Sequence, residues 1–190
     1  MEALLTDSLQ GMTAMLAAHL AAIFLLKMLV RDLSLFYLLV GTSLSGFDAI
    51  LPIFGLRDED YHCGSIFHSV WPPVMGSVVL LPLGPIASIS FLTGGVLHLL
   101  GDSTDVRGRP WLYPLSKKRF GVAILPYNFR DYVLNPTCLV VEICSCTFLV
   151  WYALVFGLDL ASWLWIGLLI PLFIAFGVHH WRIEKTRLQT

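Results

Sequence analysis

Between Tyr61 and Leu115 a strongly apolar chain concentrates histidine and aspartate. The stretch reads Tyr61-His62-Cys63-Gly64-Ser65-Ile66-Phe67-His68-Ser69 and, after an apolar interval, Gly94-Gly95-Val96-Leu97-His98-Leu99-Leu100-Gly101-Asp102. His98 and Asp102 are spaced i, i+4, so a helix through them carries both side chains on one face, a turn apart. An imidazole and a carboxylate are costly to bury alone in apolar surroundings, and a divalent cation satisfies both. The spacing therefore points to a metal site, with His62 or His68 and Asp48 as further ligands and His19 as another candidate. Imidazole mixed with carboxylate suits zinc first, with manganese or iron as alternatives. Such a metal lowers the pKa of its water towards about 7 and polarises a phosphoryl or acyl oxygen. A spare carboxylate can then accept the water's proton, which is hydrolase chemistry.

The elements that must position these residues are membrane helices. The 190 residues are 57% apolar and 13% charged, with a mean hydropathy of +0.77, against a charged fraction of about 25% in soluble domains. Apolar runs near 9–30, 33–56, 66–83, 85–100, 136–158 and 160–181 predict an all-α bundle of about six transmembrane or re-entrant helices in a single domain. The third and fourth runs are the short ones, with a re-entrant hairpin as the alternative for this pair. The first run is too long for a signal-peptide core and is expected to be retained. Of the 12 lysines and arginines, only Lys27 and Arg31 fall outside when both termini are placed in the cytoplasm, the orientation that the positive-inside rule favours. Asp48, His62, His68, His98 and Asp102 then converge on the cytoplasmic half.

The segment 103–135 is the sizeable part outside the spans. Trp111-Leu112-Tyr113-Pro114 followed by Lys117-Lys118-Arg119-Phe120 has the aromatic and basic mixture of a membrane interface. It anchors topology, or it holds an anionic lipid headgroup through Lys117, Lys118 and Arg119. A net charge of -1 and the absence of a basic arm predict no direct nucleic-acid binding. Gly41, Ser45 and Asp48 share a helical face whose small residues permit close helix approach, and Gly94 and Gly95 thin the face carrying His98 and Asp102. Glu142 is either an acid orienting a ligand histidine or a neutral, hydrogen-bonded carboxyl. Asp159 has the position of a helix cap, and His179-His180 that of interface residues at a helix carboxyl end. Cys63, Cys138, Cys144 and Cys146 form no CxxC pair, so they read as small packing residues and not as a disulfide framework.

The order of His19, Asp48, His62-Cys63-Gly64 to Phe67-His68-Ser69, His98-x-x-x-Asp102 and Gly108 through Trp111-Leu112-Tyr113-Pro114-Leu115 resembles a family of inner-membrane, LexA-binding proteins predicted to be metal-dependent hydrolases. The likeness covers roughly residues 15–145, with Lys117-Lys118-Arg119-Phe120, Asp131 before Asn135-Pro136, and Glu142 as later landmarks. The chain departs from the pattern where Ser45-Gly46-Phe47-Asp48 replaces Pro-Asp-x-Asp, where Cys63 replaces arginine and where Phe67 replaces threonine. The resemblance implies a bacterial or archaeal inner-membrane enzyme with one to three divalent metals, related to phosphoester hydrolases. Asp48, His68 and Asp102 are the expected catalytic residues, and the substrate is a lipid or other amphiphilic ester. Two alternatives stand beside it: a non-catalytic, metal-stabilised membrane protein that binds a partner, and a transporter using His19, Asp48 and Glu142. No Gly-x-Ser-x-Gly elbow accompanies Ser69.

Overall fold

In a computed structural model residues 17–44, 66–104, 108–122, 124 and 136–187 are described, and among them the regular structure is helical. The described residues hold six α-helices in order: α1 (Ala17–Leu29), α2 (Leu35–Leu44), α3 (Trp71–Leu80), α4 (Pro85–Asp102), α5 (Pro136–Phe156) and α6 (Leu160–Arg187). The expected run 66–83 is broken by its prolines. A 3-10 turn at Ile66–His68 precedes α3, which has proline in its first turn, and a second 3-10 turn at Leu81–Leu83 contains Pro82. Proline supplies no N–H and fits the helix start, so it shortens α3 from both sides. Gly84 then turns the chain at φ 110°, a backbone region open to glycine, and Pro85 starts α4. The cap expected at Asp159 is present: its Oδ1 accepts the Ser162 N–H at 2.8 Å, and its Oδ2 accepts the Ser162 hydroxyl at 2.8 Å.

α4 packs against α2 and α3, and α2 also meets α6. The α2–α4 crossing is a backbone-to-backbone contact. A Cβ on Gly41 would lie 2.1 Å from the Phe91 carbonyl oxygen, and one on Gly94 would lie 2.1 Å from that of Leu38. Thr42 Oγ1 donates to the Gly94 carbonyl at 2.8 Å, and the Ser34 N–H donates to Ser90 Oγ at 2.8 Å. Small residues thus let polar groups satisfy each other across two apolar helices. On the other side of α2, Ile23 and Phe24 of α1, Leu35, Leu38 and Leu39 of α2 and Tyr152 of α5 form the buried core.

Among the described residues one helix is long and apolar enough to cross a membrane, over Cys138–Phe156, and 11% of that stretch is buried. The core helix of a soluble domain would be largely covered, and this one is not. Cys138 is buried as expected of a packing residue, but Cys144 and Cys146 are exposed. This corrects the packing role expected for that pair. Ser145, between them, takes the inward position on α5.

Candidate metal centre

α4 ends at Asp102, and a carboxylate at a helix carboxyl end faces the unfavourable pole of the helix dipole. The chain compensates by gathering donors around it. Arg109 Nε donates to Asp102 Oδ2 at 3.1 Å, with the two side chains 3% and 5% exposed. His98 Nε2, one turn earlier, lies 3.3 Å from Oδ2, as the i, i+4 spacing requires. His68 Nε2 lies 3.1 Å from the same oxygen, and His19 Nε2 lies 3.4 Å from Oδ1. The rings crowd one another: His19 and His98 have centroids 4.7 Å apart, and His68 and His98 are 5.6 Å apart.

Each ligand candidate is delivered by a different local device. His19 enters near the start of the described part of α1, beside Gly101, where a Cβ would sit 2.8 Å from its Nε2. His68 closes the 3-10 turn, and its side chain is 0% exposed. The next residues are tied down: the Ser69 hydroxyl donates to the Ile66 carbonyl at 2.6 Å, and the Val70 N–H donates to the Trp111 carbonyl at 2.9 Å. Ser69 is thus a local turn residue, consistent with the missing nucleophile elbow.

Arg109 arrives on a strap, residues 108–122, folded back on itself. Arg109 and Phe120 exchange backbone hydrogen bonds at 2.9 Å in both directions as an isolated antiparallel bridge. Gly108 precedes the bridge at φ 61°, and a Cβ there would meet the Phe120 carbonyl oxygen at 2.6 Å. Trp111 Nε1 donates to Ser103 Oγ at 2.8 Å, and the Val122 N–H donates to the Ser103 carbonyl at 2.8 Å. The strap is therefore fastened to the end of α4 and to the turn behind His68.

His19, His98 and Asp102 offer ligand atoms within 4.8 Å of one another, a group that could hold a metal ion. His19 Nε2 lies 3.4 Å from Asp102 Oδ1 and His98 Nε2 lies 3.3 Å from Oδ2, close enough for one ion to reach both imidazoles and the carboxylate with bonds near about 2.0–2.1 Å. Both ring nitrogens of His98 are buried, and Nε2 has only the ion-pair approach to Asp102 among the described residues. A buried imidazole in that state is costly, and a cation at Nε2 would use its lone pair. The residues present fit a divalent metal.

Of the expected site residues, the fold brings His19, His68, His98 and Asp102 together. Asp48 and His62 lie outside the described residues, as do Cys63, Gly46 and Asp131. Glu142 is half-buried on α5, and no hydrogen bond or ion pair joins it to the histidines among the described residues. Lys117, Lys118 and Arg119 are exposed on the returning limb of the strap, with Lys118 Nζ 5.5 Å from the centre of the Phe120 ring. The residue that spacing did not reveal is Arg109. It follows Asp102 by seven positions, but α4 ends at Asp102, so the helical repeat does not bring the two together. No family model, curated protein or solved structure matches this chain.

Proposed function

We propose that the protein is a membrane-embedded, metal-dependent hydrolase acting on an ester of a lipid or other amphiphile. The reading rests on one observation: three imidazole Nε2 atoms converge on the buried carboxylate of Asp102. His19, His98 and Asp102 would hold the ion, which is zinc by donor type, with manganese or iron as alternatives. When bound, it supplies an acidified water and a Lewis acid for a phosphoryl or acyl oxygen. His68, fully buried against Asp102 Oδ2, is a fourth ligand or accepts the water's proton. Asp48 and His62 complete the proposed ligand set. The exposed Lys117, Lys118 and Arg119 would meet the headgroup of a substrate entering from the inner leaflet.

The non-catalytic reading keeps one specific support, the Arg109 guanidinium on Asp102 Oδ2, which closes one side of the carboxylate. Elemental mass spectrometry of detergent-purified protein, beside a His98→Ala, Asp102→Ala variant, tests the centre. Near-integral zinc, manganese or iron, lost in the variant, is expected. Turnover of phospholipids or carboxyl esters by the loaded protein then selects the enzyme. A full metal complement without turnover of either class selects the structural role. Metal-free protein even after zinc or manganese is supplied overturns both.

A further inference from the structure

The carboxylate of Asp102 is unevenly occupied. Oδ2 accepts the Arg109 Nε–H at 3.1 Å and also faces His68 and His98, whereas Oδ1 faces His19 at 3.4 Å. Arg109 is itself immobilised. Its backbone is locked to Phe120 in both directions, and its Nη1 donates to the Gly108 carbonyl at 3.2 Å. We infer that Arg109 is a positioning residue for the metal centre, holding Oδ2 so that the Asp102 carboxylate keeps one orientation towards an ion shared with His19, which faces Oδ1, and His98, which faces Oδ2. The inference rests on the metal reading above and adds the device that sets the carboxylate's orientation. A carboxylate free to rotate would change its distance to each histidine and spread the ligand geometry. A guanidinium fixed by its own backbone prevents that rotation. The strap reaches the same point from two sides, through Trp111 to Ser103 beyond Asp102 and through the Trp111 carbonyl to Val70 beyond His68.

Arginine's cation also repels a divalent ion, so neutralising it would mix two effects of opposite sign. Arg109→Lys keeps the charge and removes the rigid Nε–H fork, so it isolates position. The full-length protein and this variant are titrated with Co2+, read by visible absorption and by competition with a chelator. The wild type is expected to bind Co2+ with a defined visible spectrum. Arg109→Lys should bind roughly 10–100-fold more weakly, with an altered spectrum. Wild-type affinity and spectrum in Arg109→Lys would overturn the positioning role while leaving the metal site standing. No Co2+ binding by the wild type would overturn the metal reading and this inference with it. If Arg109→Lys does not fold, Trp111→Phe carries the test. It retains Arg109 and releases the strap from Ser103, and unchanged affinity and spectrum there overturn the proposal.

Discussion

At Asp102 a single negative charge faces one guanidinium and three imidazoles. Asp102→Asn preserves shape but removes the charge that the buried Arg109 guanidinium faces at 3.1 Å. Breaking a buried pair in this way costs about 3–5 kcal/mol, so the variant should lose both bound metal and stability in detergent unfolding. Gly101→Ala separates those effects. Its Cβ would press on His19 Nε2 from 2.8 Å, while Asp102, Arg109 and His98 keep their contacts. We expect weaker metal binding with thermal stability close to wild type, measured by Co2+ titration and by unfolding of the metal-free protein. Unchanged affinity would remove His19 from the site. The pair His98 and Asp102 was legible in the sequence because helical geometry ties i to i+4 without any tertiary information. His68 and His19 were legible as polar residues in apolar runs, but their meeting depends on how three separate segments pack. Arg109 was illegible as a site residue because a turn, a positive-φ glycine and an isolated bridge carry it there, and among the basic residues it resembled a topological charge.

At the scale of elements, the site depends on where α4 stands, and α4 stands where glycine lets it. Gly41 and Gly94 meet the opposite helix's backbone so closely that a methyl group on either must push the axes apart. Overpacking of this kind costs typically about 1–3 kcal/mol. The displacement would also stretch the Thr42 to Gly94 and Ser34 to Ser90 hydrogen bonds. Gly94→Ala should therefore destabilise the bundle and weaken metal binding at the far end of the same helix. Gly167→Ala is the matched control, because a Cβ on Gly167 in α6 meets nothing within 4 Å, and alanine in a helix interior is favoured by roughly 0.5–1 kcal/mol. Equal effects of the two substitutions in thermal unfolding and Co2+ titration would refute the crossing argument. The faces of Gly41 and of Gly94–Gly95 were readable from small-residue spacing. The division of the third run into two 3-10 turns and a 10-residue helix was less so, since hydropathy averages over prolines that fix local geometry.

For the whole molecule, the proposed membrane placement raises the question of which end of the bundle faces which side. The Ser34 backbone reaches Ser90 on α4, and from there to Asp102 the helix advances about 18 Å at 1.5 Å per residue. The α1–α2 turn therefore lies well away from the metal centre, while the strap with Lys117, Lys118 and Arg119 is fastened beside it. α5, at 21 residues, is about 31 Å long and matches a hydrocarbon core of about 30 Å. α3, at 10 residues, is about 15 Å long and suits a re-entrant arm better than a full crossing. In the proposed arrangement, with both termini cytoplasmic, the strap lies inside and the α1–α2 turn outside. Two single-cysteine variants in a background without Cys63, Cys138, Cys144 and Cys146 decide this. Lys118→Cys and Asp32→Cys place thiols at exposed positions of the strap and of that turn. A membrane-impermeant maleimide should label Asp32→Cys in intact cells or right-side-out vesicles, and Lys118→Cys only after inversion or permeabilisation. Labelling of both from the same side would mean that the bundle lies in one leaflet. The opposite pattern would invert the topology and place the site, and any ester reaching it, on the outer face.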